Sequence, residues 1–407
     1  MKNRPLTSLL AAICVLSCTP ENVEYLDFDT FKVLSVDSDI IVMPDGNLNP
    51  KLQGMQADAD ETKIASITSA GLLKELIPLV KKNEIVRISG TYTGHDVDGS
   101  PLTLSGTIVL PRSGAIKNMV LVSHYTIGAN YECPSLSFPM EGIIASRGYA
   151  VVFADYIGYG VTSARIHPYM HSESTARSVV DMGLAVKAYL EHVGRAPESR
   201  EVILMGYSQG GANTLAVMDL IQREYSTELA VKKAYAGGGP YDLAATYDLA
   251  VQENISGIPC AIPMIVQGIN EGERLGLDMA DFFGPNLLAR YDEWINSKKY
   301  TTGEINRLIG TKELSEIMTR QGLDKTSEST AKFYAKMIKN STLNFTPESP
   351  VFMLHSTTDK TVPFVNAQKA QEYFKDKGAD ITYDFADYGD HGSGFLQLLF
   401  KVTKDLD

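Results

Sequence analysis

Short apolar runs alternating with amphipathic helical patterns constrain this chain more than any other feature of its sequence. The runs at 120–123 (VLVS), 149–154 (YAVVFA), 202–205 (VILM) and 231–236 have the length of buried strands. Between the second and third, Ala176, Val179, Val180, Gly183, Val186 and Leu190 recur at the three-and-four spacing of a helix stripe, with Ser172 in position to cap it. A helix of that length returns the chain to a neighbouring strand running the same way. The series therefore predicts an α/β class, with a mostly parallel sheet and flanking helices. Upstream, residues 84–94 and 102–110 alternate in polarity and are joined by the turn-rich segment 96–101, which predicts a hairpin.

The alternation stops after the fourth run. From about 242 to 346 there are only helix-like patterns and loops, among them 279–295 and 328–340. It resumes with a strand at 351–355 (VFMLH), a helix at 365–377, a strand at 380–385 and a last helix after His391. A block of that size is too long for a loop and predicts an inserted helical cap. Its Phe282, Phe283, Leu287, Leu288 and Trp294 recur at helical spacing, either as the cap's own core or as the lining of an apolar tunnel.

The chemistry centres on Gly206-Tyr207-Ser208-Gln209-Gly210-Gly211. The pattern G-x-S-x-G is weak alone. Here it joins the run VILM to a helix over 209–223, the context of a nucleophile elbow. The glycines permit a turn too tight for side chains, and the turn lifts the Ser208 hydroxyl over a helix N-terminus. A serine hydroxyl needs a base, and the base needs an orienting carboxylate. Asp359 follows the strand at 351–355 and His391 follows the strand at 380–385, so both fall at the sheet edge that carries Ser208. Asp387 and Asp390 are rival acids, but they share the histidine's own loop. The order Ser, Asp, His predicts a catalytic triad of Ser208, Asp359 and His391. A tetrahedral intermediate also needs two amides aimed at its oxyanion. Gln209 supplies one, and the loop 123–128 (SHYTIG) the other, through Thr126 first and Ile127 second. His124 reads as a loop-packing residue.

Composition removes other classes. Thirty-seven Lys plus Arg against 49 Asp plus Glu, a formal charge of -12, argue against a nucleic-acid partner. No HExxH, Walker or Rossmann fingerprint occurs, so neither metal nor organic cofactor is expected. No apolar run is long enough to span a membrane. The N-terminus instead carries Lys2 and Arg4, an eleven-residue apolar stretch (LTSLLAAICVL, residues 6–16), then Ser17 and Cys18. This has the form of a signal peptide ending in a bacterial lipobox. The expectation is a lipoprotein signal peptide over 1–18, export to the bacterial cell envelope and anchoring to a membrane by lipid on Cys18. A tether and an N-terminal helix at about 61–82 would fill residues 19–83, with the main domain at 84–407. Cys133 and Cys260 then remain in the mature chain, free to pair in an oxidising envelope.

With these residues in hand, the chain resembles the secretory-lipase branch of the α/β-hydrolase superfamily. His124-Tyr125-Thr126-Ile127-Gly128 is similar to its HGTTG-like loop, with Tyr125 where glycine is usual, and Glu132-Cys133-Pro134-Ser135 follows. Asp155-Tyr156-Ile157-Gly158-Tyr159-Gly160, then His167-Pro168-Tyr169, resemble its DY-x-G-x-G and HPY segments. GYSQGG and AGGGPYDL (236–243) also match. The resemblance implies an α/β-hydrolase fold and cleavage of carboxylic esters of lipids or small molecules by Ser208, Asp359 and His391. It leaves Asp155 structural and His167 without a role. Two other readings stand beside it: an esterase removing acetyl or feruloyl groups from polysaccharides, and a non-catalytic surface binding protein on a hydrolase scaffold.

Overall fold

The computed structural model describes residues 31–40 and 84–406. The signal segment, Cys18 and the helix expected at 61–82 lie outside these residues. Among the described residues nine strands form one sheet, in the order β1-β2-β3-β5-β4-β6-β7-β8-β9. β1 (Phe31–Ile40), β2 (Ile85–His95) and β3 (Pro101–Pro111) are antiparallel, and β3 joins β5 (Ala150–Ala154) antiparallel as well. From β5 through β4 (Met119–Ser123), β6 (Glu201–Tyr207), β7 (Ala230–Gly237), β8 (Val351–Ser356) and β9 (Ile381–Ala386) every pairing is parallel.

The inner strands are continuous apolar runs because they are covered on both faces. Along β4, Leu121 belongs to one core, while Val120 and Val122 belong to the other. In β6, Val202 and Leu204 face the first core, and Ile203 and Met205 the second. Helices α1 (Ser172–His192) and α2 (Gln209–Leu220) cover one face. A 3-10 segment at Met140–Arg147 and the last helix of the chain, beginning at His391, cover the other. Each fully buried Val, Leu or Ile contributes roughly 1.5–3 kcal/mol, so this double-sided core fixes the register from which every loop at the sheet's carboxyl edge departs.

Two details correct the sequence reading. β1 falls inside the stretch expected to be a tether. It docks because Gly90 of β2 leaves room for the Phe31 ring: a β-carbon there would sit 2.5 Å from that ring and 2.5 Å from the Lys32 carbonyl. The N-cap of α1 is His171, whose ring accepts from the Ser174 amide, while the Ser172 amide donates to Asn340 Oδ1 at 2.9 Å.

Between β7 and β8 the chain forms α3 (Leu243–Glu253), α4 (Ala261–Glu273), α5 (Thr302–Ile309) and α6 (Glu328–Asn340), with shorter turns between them. The helix-like pattern at 279–295 is broken into three pieces: Met279–Asp281, Pro285–Leu288 and Asp292–Asn296. Pro285 starts the second piece, with Gly284 as its extended cap, so the chain cannot run through as one helix. After β8 come α7 (Val365–Phe374), β9 and α8 (His391–Asp405). Cys133 and Cys260 are both buried and free rather than paired.

Candidate active site

The turn from β6 into α2 holds Ser208 at φ 58° and ψ -126°, a conformation that a non-glycine residue occupies only at a cost of roughly 1–3 kcal/mol. The surroundings enforce it. A β-carbon on Gly210 would lie 1.9 Å from the Ser123 carbonyl oxygen, and one on Gly206 2.2 Å from that of Gly210. The Ser208 amide donates to Gly237 O at 2.9 Å, tying the turn to β7. The result is a nearly buried serine on the wall of a cavity, at the amino end of a twelve-residue helix.

At the same edge of the sheet, His391 Nδ1 lies 2.5 Å from Asp359 Oδ2. Asp359 Oδ1 accepts the amides of Thr361 at 2.8 Å and Val362 at 3.0 Å, and His355 Nε2 stands 3.7 Å from Oδ2. Burial opposes the charge on Asp359. The hydrogen bond from His391, the neighbouring imidazoles and the Val362 amide outweigh it and hold the carboxyl below its ordinary range. An ionised Asp359 fixes the His391 proton on Nδ1 and leaves Nε2 with the lone pair. That Nε2 is buried and makes no hydrogen bond, to Ser208 or to any other described residue. The imidazole packs against Tyr207, the residue before Ser208, at 4.9 Å between ring centres. The rival carboxylates are engaged elsewhere: Asp387 accepts from Thr358 and from the Gly389 amide, and Asp390 caps α8 through the Ser393 amide.

Gln209 is the first residue of α2, so its amide has no intrahelical acceptor. Gln209 and Thr126 line the same cavity as Ser208. Ile127, the second choice for the loop donor, is instead packed with Cys133 and Tyr159 in a small separate cluster. Tyr125 turns to Phe395 of α8 at 5.7 Å between ring centres and does not line the cavity. The insertion braces this loop, since the Asn130 amide donates to Lys298 O at 2.8 Å.

Two buried histidines flank the loop. His124 stacks on Tyr156 at 3.9 Å, and its Nδ1 donates to Tyr125 O at 2.7 Å; burial pushes its pKa down to about 4. His167 donates from Nδ1 to Ile157 O at 2.7 Å, and burial lowers it to about 3. Its Nε2 thus carries the lone pair and accepts from the Gln209 side-chain amide at 3.4 Å, a contact no local pattern announces. Asp155 is wholly buried and accepts from Ser105 Oγ at 2.6 Å and from the amide and hydroxyl of Ser135 at 2.8 and 2.5 Å.

The cavity encloses about 1080 Å³ including its opening. Away from Ser208 its walls are mainly apolar, with Leu249 and Ala250 from α3, Ile262, Ile265 and Val266 from α4 and Met337 from α6, and with Thr246, Glu253 and Lys360 among the polar residues that also line it. Phe282 and Phe283 do not contribute. Both are buried in the insertion's own core, Phe282 edge-on to Phe333 at 5.6 Å. Among the described residues no group of three or more His, Cys, Asp or Glu is placed to hold a metal.

A parallel sheet bearing a strained serine between β6 and α2, with an aspartate after β8 and a histidine after β9, defines an α/β-hydrolase. The secretory lipase family model matches residues 140–396, and the chain belongs to that family. A secreted triacylglycerol lipase of Malassezia restricta is 22% identical over 334 residues, covering 72% of this chain and 63% of that protein; the chain thus spans less than two thirds of that relative's length. The rice cell wall degrading esterase LipA from Xanthomonas oryzae superposes with a TM-score of 0.68 at 21% identity, over 83% of this chain and 93% of LipA. A putative hydrolase from Legionella pneumophila gives a TM-score of 0.73 at 20% identity, over 84% and 95% of the two chains. At these identities the structures share the fold.

Proposed function

We propose that the chain is a serine hydrolase of fatty-acyl carboxylic esters. The observation that carries the reading is the Asp359–His391 pair, with a free imidazole Nε2, packed on Tyr207 next in sequence to a strained serine on the wall of a mainly apolar cavity. Ser208 Oγ attacks the ester carbonyl and passes its proton to His391 Nε2, while the amides of Gln209 and Thr126 receive the oxyanion. The alcohol leaves with that proton. Water, activated by the same nitrogen, then hydrolyses the acyl-enzyme. Asp359 remains ionised and holds the imidazolium in place.

The helical insertion acts as a cap whose helices α3, α4 and α6 receive the acyl chain. Its apolar walls favour a fatty-acyl group over the acetyl or feruloyl groups of a polysaccharide. Membership of a secretory family supports export. The apolar stretch at 6–16, followed by Ser17 and Cys18, supports export as a lipid-anchored protein of a bacterial envelope, which incorporation of a labelled fatty acid at Cys18, lost in Cys18→Ala, would test. The reaction itself is tested by turnover of p-nitrophenyl esters from acetate to palmitate and by phosphonate labelling. Wild type should hydrolyse the series and carry the label on Ser208; an active, folded Ser208→Ala protein would overturn the reading.

A further inference from the structure

On the cavity wall, Thr126 Oγ1 lies 2.6 Å from the Tyr169 hydroxyl. Both residues line the cavity together with Ser208 and Gln209. The direction of this hydrogen bond follows from the surroundings. Tyr169 is 4% exposed, and among the described residues Thr126 Oγ1 is the hydrogen-bond partner its hydroxyl has, so a Tyr169 that accepted from Thr126 would leave its own proton without a protein acceptor. The phenol is also the stronger acid of the two. Tyr169 therefore donates, and the Thr126 proton is left to point elsewhere from the half-buried wall of the cavity.

Tyr169 is well fixed for this task. Its amide donates to His167 O at 2.8 Å, and α4 presses so close that a β-carbon on Gly268 would lie 2.2 Å from the Tyr169 nitrogen. The loop carrying Thr126 is fixed against the elbow by the contact of Ser123 with Gly210. A threonine has few χ1 choices, and a hydrogen bond from a rigid phenol selects one.

We infer that the Thr126 side-chain hydroxyl is a third donor to the oxyanion, aimed by Tyr169 as a positioning residue. The inference rests on Ser208 being the nucleophile. As the carbonyl carbon becomes tetrahedral, the developing negative oxygen receives the Thr126 O–H in addition to two amides. Charge-assisted O–H···O⁻ bonds are stronger in the transition state than to the neutral ester, so the contribution falls on kcat and not on KM.

The test is steady-state kinetics on one p-nitrophenyl ester with Thr126→Val, Thr126→Ser, Tyr169→Phe and the Thr126→Val/Tyr169→Phe double variant. Thr126→Val keeps the shape and the backbone amide and should lower kcat by about 10²-fold with KM nearly unchanged. Thr126→Ser restores the hydroxyl and should recover most of the rate. Tyr169→Phe should lower kcat by roughly tenfold alone and cause no further loss in the Thr126→Val background, a coupling that two merely structural residues would not show. Wild-type kcat within about threefold in Thr126→Val, or fully additive losses in the double variant, would overturn the inference. Should Thr126→Val fold poorly, an equal loss of kcat in Thr126→Ser and Thr126→Ala would do so instead. Phosphonate labelling separates this from the nucleophile: a wild type that does not label at Ser208 refutes the catalytic reading itself, whereas normal labelling with a fully active Thr126→Val refutes only the third donor.

Discussion

Asp359 Oδ2 and His391 Nδ1 meet at 2.5 Å although Asp359 lies on the loop after β8 and His391 opens α8, after β9. The contact settles which imidazole nitrogen holds the proton. Replacing Asp359 with Asn presents an amide where an acceptor is needed and turns the imidazole to the wrong tautomer. Asp359→Asn should therefore lower kcat by about 10⁴-fold, measured on a p-nitrophenyl ester. Asp387→Asn should cost less than about tenfold, because Asp387 bonds Thr358 and Gly389 and not the imidazole. A damaging Asp387 change with a mild Asp359 change would reverse the assignment of the acid.

The buried histidines give the protein an acid sensitivity distinct from catalysis. His124 and His167 are held near 4 and 3 in the folded state, against an ordinary value of about 6.5 when unfolded. Between those limits the unfolded chain binds more protons, so stability is fully present above about 6.5 and falls as the pH drops. At pH 5 the loss is on the order of 2 kcal/mol per histidine. Glu141, pushed up to about 7 by burial, works the other way, since its contribution fades as pH rises from about 4.5 to 7. Comparing urea midpoints at pH 5 and 7.5 in wild type and His167→Gln isolates the histidine: the variant should lose part of the pH dependence. An unchanged slope would mean that His167 titrates normally.

Gly210 and Gly392 provide a matched steric test. A methyl group on Gly210 would strike backbone, the Ser123 carbonyl, at 1.9 Å. On Gly392, in the first turn of α8, it would meet only Asp390 Oδ1 at 3.7 Å, an ordinary contact. Gly210→Ala should lower the melting temperature by several degrees and kcat by more than about 10²-fold, because the elbow and the loop carrying Thr126 share that contact. Gly392→Ala, only one residue from His391, should leave both nearly unchanged. Equal effects would show that the close approach does not control the site.

How much of this was readable in the chain depends on how local each signal is. The parallel strands were legible because burial on both faces leaves continuous runs such as VILM, and the elbow because its glycines are adjacent to its serine. β1 was not, since register shifts after Val33 and Asp37 break the alternation that marks a strand. The segment 279–295 has helical spacing of its apolar residues, yet Gly284-Pro285 divides it. Asp359 and His391 could be paired by strand order alone. Thr126 with Tyr169 and His167 with Gln209 are more than forty residues apart and join side chains across loops, so no periodicity or short pattern points to them.

The division between the insertion's core and its cavity wall makes the final prediction. Phe282 and Phe283 were candidates for the acyl site by spacing, but they are sealed in the core, whereas Ile262 and Ile265 are half-buried on the cavity side of α4. If the cavity takes the acyl chain, each further buried CH₂ contributes ~0.8 kcal/mol, so kcat/KM should rise about fourfold per carbon until the space is filled. Ile262→Trp or Ile265→Trp fills that space and should lower kcat/KM for decanoate or longer esters at least tenfold while sparing acetate. Phe282→Ala should do the opposite: destabilise by about 3–5 kcal/mol, read as a lower urea midpoint, and leave the chain-length profile of the folded enzyme in place. A profile that peaks at acetate and ignores both tryptophans would remove the fatty-acyl assignment and favour the polysaccharide esterase.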